Sequence, residues 1–512
     1  MRPKIVLVWF KRDLRCVDHA PLAAAVATGL PVLPLYVVEP EYWALPTSSQ
    51  RHWSFVHDSL TQLRSELAAI GQALVVRVGQ VEAVLKDLMD HYDLQGVYAH
   101  EETGHLWTYQ RDLDVQDFCR QYAIECHEFP HGGVVRRLPS RDGWSRLRQD
   151  RMVKDIHPAP TALLPLSGIE AGEIPAKDDV LFVQRINGQT QKGGRRGGIA
   201  IVQSFIHQRA HRYLKSISSP RYGVDFSSRL SPHLAWGTLS EREVVKRFQE
   251  GLSQLPSGDF GRRGLAAVLT RLSWRSHFMQ KLEDQPDLEK ASMHSFYDGI
   301  RPENDKTETY LTAWQDGRTG VPIIDACMRC LTETGWLPFR MRAMLVSYAS
   351  YHLWLDWRRT APHMARLFTD YEPGIHYSQF QMQSGVTGIN TMRVYNPVKQ
   401  SYDHDPEGWL IRKYCPELAH LPLEWLHEPH LMPPLLAAEF NFEIGRDYPH
   451  PLVDNQLAMR AAKDQMSAIR KKAGFDQEAA SVFNRLGSRN RPMSGVKKRP
   501  AKTKTQQQLD LF

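Results

Sequence analysis

The chain has little of what anchors a protein in a membrane or staples it outside the cell. Six cysteines in 512 residues, without regular spacing, argue against a disulfide framework and for a reducing, cytoplasmic setting. The apolar run near the start is only the six residues Ile5 to Phe10, too short for a signal-peptide core. No later apolar stretch approaches the ~18 residues of a membrane span. No GxGxxG follows the first run, so the dinucleotide-binding fingerprint is missing. No repeat of 20–50 residues is found, which argues against a solenoid or propeller. Cys327-Met-Arg-Cys330 is a lone CxxC, and Cys415 brings the later half to three thiols, one short of a four-cysteine iron–sulfur site. These cysteines read as structural, and no metal is expected.

What is present fits a protein with two or three domains and a large core. Apolar residues make up 42% and charged residues 24%, and 13 tryptophans are a generous allowance. The net charge of +7 is compatible with a polyanionic partner but weak over this length. In residues 1–130, apolar runs at Lys4–Phe10, Pro31–Val38, Ala73–Val78, Gly96–His100 and Ile124–Phe129 read as strands. Between them lie helical patterns around Pro21–Thr28, Trp53–Ile70, Val81–Tyr92 and Thr108–Tyr122. This alternation predicts an α/β domain with a parallel, Rossmann-like sheet covered on both faces. Residues 131–200, with Pro, Gly and charge clusters including GGRRGG at 193–198, read as a connector. Residues 201–475 are helical almost throughout and predict a large all-α domain. Residues 476–512 read as a basic disordered tail, Arg/Lys/Ser/Gln-rich above all beyond about 485.

Several segments of the helical half carry chemistry. Ser227–Ser240 (SSRLSPHLAWGTLS) sets two hydroxyls and a Ser-Pro at a helix start, where orphan N–H groups favour an anion such as a pyrophosphate. Trp314–Leu331 runs a Gly/Pro loop into an apolar helix. Gly335–Met344 (GWLPFRMRAM) places Arg340 and Arg342 on a helix, and an Arg is the partner a buried Asp370 needs. Asp370–Gly385 (DYEPGIHYSQFQMQSG) combines an acidic pair, a lone His376 and a Gly-closed turn.

With FKRDLR at Phe10–Arg15, and RVYNP at 393–397 followed by CPEL, these segments occur in the order and register of the photolyase/cryptochrome flavoproteins. The chain resembles that family over roughly residues 1–430. The resemblance implies FAD, held bent in the helical domain, and an α/β domain that in many relatives carries a second, antenna chromophore. It implies that Tyr213 and Ser227, Ser228, Arg229, Leu230 and Ser231 grip the phosphates and ribityl chain. Arg342 and Asp370 would pair beside the isoalloxazine, with Tyr371 and Glu372 completing that wall. His376 falls where the family places the residue facing flavin N5. It would either exchange a proton there near neutral pH or hydrogen-bond and stay neutral.

Two departures from the family pattern stand out. Many relatives have Trp-x-Trp where this chain has Phe380-Gln-Met382, so a three-Trp electron chain keeps its outer members, Trp357 and Trp314, and loses the one nearest the flavin. Tyr377, Tyr348, Tyr351 and Trp354 are candidate detours. The Glu, Asn and Met that face a cyclobutane dimer in repairing relatives are replaced by Arg271, Phe339 and Ala343, while the stacking Trp is kept as Trp274. The paired His of relatives that repair the 6-4 photoproduct is not visible.

The last five residues, Gln508, Leu509, Asp510, Leu511 and Phe512, resemble the peptide by which bacterial repair enzymes dock into the sliding clamp. They predict a bacterial, cytoplasmic, nucleoid-associated protein. The resemblance therefore implies a blue-light-driven photolyase-type enzyme repairing ultraviolet pyrimidine lesions in DNA, with Trp274, Arg271 and His376 at the reaction site. The alternative is a cryptochrome-like photoreceptor without repair activity. A light-independent DNA-binding flavoprotein has no feature of its own.

Overall fold

The computed structural model describes residues 2–186 and 188–489. Five strands, β1 (Lys4–Phe10), β2 (Val32–Val38), β3 (Val75–Val78), β4 (Asp93–His100) and β5 (Glu125–Phe129), form one sheet in the order β3-β2-β1-β4-β5. Every pairing is parallel. β2 is buried along its whole length and β1 everywhere beyond Lys4, which is why both read as continuous apolar runs. The strand order reverses between β1 and β4, and a crevice of about 240 Å³ opens at their carboxyl ends, lined by Arg15, His100, His131 and Arg151 among others.

The segment 131–200 is more structured than a plain connector. It contains the helix Trp144–Val153, and the GGRRGG stretch opens another at Arg195. Phe182 stacks on Trp53 with ring centroids 4.5 Å apart, fastening the segment to the α/β core. Residues 476–486, expected within a disordered tail, instead belong to the helix Phe475–Leu486, which buries Phe475, Val482 and Leu486, an apolar stripe that the charged surroundings mask in sequence; residues 490–512 of that expected tail lie outside the described residues.

The FKRDLR motif pins the two halves together. Arg12 donates to the carbonyls of Ala235 and Tyr371 at 2.9 and 2.6 Å, and Arg15 to that of Gly237 at 2.9 Å. In the helical half, the 25-residue helix Phe260–Asp284 is started by Asp259, whose carboxylate accepts from Gly261 N–H. It packs along Pro373–Ser384, the helix of the DYEPGIHYSQFQMQSG stretch. Gly385 ends that helix with φ 78°, and a Cβ there would collide with the Tyr351 hydroxyl, so the turn needs glycine. No helix among the described residues is long and apolar enough to cross a membrane.

Candidate flavin and substrate site

Arg342, on the helix Phe339–Ser347, meets Asp370 in a two-pronged ion pair, both N–O distances 3.0 Å. Burial alone would raise the Asp370 carboxyl, but the Arg342 guanidinium outweighs it and holds the group below its ordinary value. This pair stands where a large cavity meets a smaller slot. The cavity, about 490 Å³, is lined by Tyr213, Ser227, Ser228, Leu230, Ser231, Arg271, Trp274, Arg342, Asp370 and Glu372. The slot, about 90 Å³, shares Arg342, Asp370 and Glu372 and adds Tyr371, His376, Phe380 and Ala343. Residues that lie far apart in sequence thus converge on one site.

The donor set suits a flavin dinucleotide. Ser227 Oγ lines the cavity, is buried and has no partner among the described residues, a costly state that a phosphate or ribityl oxygen would relieve. Bound FAD would supply a light-absorbing one-electron carrier, with the serines on its phosphate side and the Arg342–Asp370 pair on its ring side.

Three site residues make contacts that the motifs did not specify. Arg229 turns its guanidinium over the Trp336 ring at 4.6 Å, and burial brings it down to about 10. Glu372 is held by Arg275 at 2.6 Å, a partner the motifs did not suggest. His376 donates from Nε2 to the Ala361 carbonyl at 2.9 Å, and burial pushes it down to about 3. Of the two alternatives, the geometry favours the neutral imidazole, because a cation there would lie buried beside Arg342.

The aromatic positions divide. Trp314 and Trp357, expected as outer members of an electron chain, are both fully buried, with indole N–H groups donating to Leu345 O and Ser292 Oγ. Phe380 packs against His376 with centroids 4.5 Å apart. Tyr377 touches both Trp357 (6.3 Å) and His376 (5.6 Å), whereas the Tyr348 and Tyr351 hydroxyls are buried without partners among the described residues. Trp354 lies under Arg301 at 4.7 Å.

On the cavity floor, Arg271, Trp274, Phe278 and Lys281 follow one stripe of the Phe260–Asp284 helix. The Arg271 guanidinium lies over the Tyr213 ring at 5.3 Å. Phe339 lines both cavity and slot. Sequence reasoning did not single out Lys281, buried among His277, Phe278 and Arg141, where burial draws it down to about 7. Its only signal in sequence was the helical spacing from Trp274. Cys327, Cys330 and Cys415 are buried, and burial pushes all three thiols up, as inert structural cysteines require. The one cluster of metal-capable groups among the described residues, Asp13, His19 and His100, is internal to the α/β half. There both imidazoles turn on one Asp13 oxygen, at 2.9 and 2.6 Å. The clamp-like Gln508–Phe512 lies outside the described residues.

A parallel sheet with a reversed strand order, joined to a helical body that opens on a serine- and arginine-lined cavity, is the architecture of a two-domain flavoprotein. Residues 268–468 match the family model described as the FAD binding domain of DNA photolyase, and residues 6–138 match that described as DNA photolyase. The chain belongs to the photolyase/cryptochrome family. It is 28% identical over 484 residues to a cryptochrome DASH of Gloeobacter violaceus, covering 89% of this chain and 94% of that one. A class III photolyase of Agrobacterium tumefaciens superposes with a TM-score of 0.79 at 26% identity, covering 92% of this chain and 99% of the other. An archaeal photolyase of Sulfolobus tokodaii, solved with two FAD molecules, gives 0.73 at 25% identity, covering 90% and 99%.

Proposed function

We propose that the chain is a light-driven, photolyase-type enzyme that uses reduced FAD to repair a pyrimidine lesion in DNA. The observation that carries this reading is the cavity floor. Ten residues of helix at ~1.5 Å each set Arg271 and Lys281 about 15 Å apart, with Trp274 and Phe278 between them. Two aromatic faces between two basic side chains suit bases turned out of the duplex, with their phosphates at either end. The flavin slot adjoins this floor through Arg342, Asp370 and Glu372, which gives short-range electron transfer a direct path. Tyr213 and Ser227, Ser228, Leu230 and Ser231 would hold the phosphate side, and Trp274 would stack on the lesion. Arg271 would take a phosphate or carbonyl oxygen in place of the carboxylate that relatives use. The crevice between β1 and β4 offers a place for a second chromophore, as the two-FAD archaeal neighbour suggests. The tail would tether the enzyme to the sliding clamp, placing it at bacterial DNA.

The second reading, a photoreceptor without repair, is favoured by Arg271, Phe339 and Ala343 standing where repairing relatives have lesion contacts. One experiment separates the two. Ultraviolet-irradiated DNA is incubated with chemically reduced protein, in blue light and in darkness. Light-dependent loss of cyclobutane dimers or 6-4 products is expected. Loss of neither, with flavin bound and photochemically active, would transfer the assignment to photoreception.

A further inference from the structure

We propose that Tyr371, backed by His105 and Glu289, is a proton-coupled electron donor that serves the flavin slot in place of the tryptophan absent at position 380. The inference rests on the flavin ring lying along the Arg342–Asp370 wall. Phe380 lines that slot but is too hard to oxidise to pass an electron, and Tyr371 lines it too. A buried tyrosine gives up an electron readily only when its proton has somewhere to go. Tyr371 is only 2% exposed, so its proton has no direct way to solvent, and burial lifts the phenol well above its ordinary value.

The structure supplies a base. Tyr371 Oη lies 3.1 Å from His105 Nε2, and His105 Nδ1 lies 3.1 Å from Glu289 Oε2. A carboxylate only accepts, so Nδ1 carries the hydrogen toward Glu289 and Nε2 is left as the acceptor. The Leu106 N–H donates to the same carboxylate at 3.3 Å, fixing Glu289 against the start of the Leu106–Gln121 helix. Thr47 Oγ1, 3.2 Å from Nε2, is the second hydroxyl at this hub. The α/β half thus provides the base and the helical half the phenol.

In the step, Tyr371 gives one electron to light-excited oxidised flavin, and its hydroxyl proton passes to His105 Nε2. The imidazolium is held by Glu289, and the neutral tyrosyl radical remains. Tyr377, close enough to Tyr371 to act on it electrostatically, and Trp357, whose ring lies 6.3 Å from that of Tyr377, pass in an electron drawn from an added thiol reductant, which is oxidised, as His105 returns the proton. This line passes around Phe380.

The test uses full-length, flavin-loaded protein carrying ring-deuterated tyrosine. It reads flavin photoreduction in H2O and D2O together with the light-induced paramagnetic signal. A tyrosyl signal narrowed by the label is expected, with slower reduction in D2O. Tyr371→Phe should slow reduction per bound flavin by about tenfold or more, and His105→Asn should abolish the solvent effect. Phe380→Trp, added to Tyr371→Phe, should restore the rate and so show that the pocket is intact. Wild-type speed in Tyr371→Phe, or a tryptophan signal in its place, would overturn the proposal. If Phe380→Trp alters neither background, the flavin placement fails and the proposal fails with it.

Discussion

Lys281 gives the sharpest energetic prediction. Its side chain is 3% exposed, with Phe278 beneath it at 5.5 Å and no anionic partner among the described residues. Burial, with Arg141 adding to it, brings the amine from its ordinary 10.5 to about 7. The folded chain therefore holds fewer protons than the unfolded chain between those values, and wild-type stability rises with pH across that window. At about 1.4 kcal/mol per pH unit, the whole interval is worth up to about 5 kcal/mol. Lys281→Met keeps the stem and removes the amine. It should be more stable than wild type at pH 7 and below, by a margin that shrinks steadily toward pH 10. Urea midpoints of both proteins, measured in steps from pH 6.5 to 9.5, read this margin directly. An oligonucleotide whose phosphate reaches the amine would supply the missing counter-charge and narrow the gap at pH 7. Parallel curves for the two proteins would refute the reasoning, since they would mean that Lys281 titrates as it does in water.

Other perturbations address the flavin and the tail. Asp370→Ala leaves the Arg342 guanidinium, largely buried, without its carboxylate, and should cost flavin retention by about tenfold or more; a variant purifying fully yellow would count against the site. The same pair predicts that flavin is released as pH falls through the depressed carboxyl value and is kept above the ordinary carboxylate range, with absorbance of the filtrate as the readout. Phe380→Trp in the otherwise wild-type chain should speed blue-light photoreduction, read as loss of oxidised-flavin absorbance, and an unchanged rate would mean that Tyr371 is not limiting. Deleting Gln508–Phe512 should abolish pull-down by the sliding clamp without altering the flavin spectrum.

Much of this was legible in sequence because the signals were local or repeated. The strands announced themselves because β1 and β2 are buried on both faces, whereas a buried carboxylate needing a cation left Arg340 and Arg342 both open, and the family resemblance implied the Arg342–Asp370 pair. The relay was not legible, because Tyr371 and His105 are 266 residues apart and meet only when Arg12 and Arg15 dock the two halves. Which of the two His376 readings holds could not be read either, since burial, which forces the imidazole neutral against the pull of the Ala361 carbonyl toward the cation, appears only in the fold. The helix Phe475–Leu486 hid for a different reason. Its three buried residues are spread across twelve, amid charge, and only the neighbouring surface gives them a core.

The central claim is that the flavin held by the Arg342–Asp370 wall passes an electron to a lesion lying on the Trp274–Phe278 floor. The excited-state lifetime of the chemically reduced flavin tests it most directly, measured with undamaged oligonucleotide and with the same strand carrying a thymine dimer or a 6-4 product. The account predicts a lifetime shortened by one of the lesions, and restored when Trp274→Ala weakens its stacking. An identical lifetime with every strand, at saturating DNA, would contradict it.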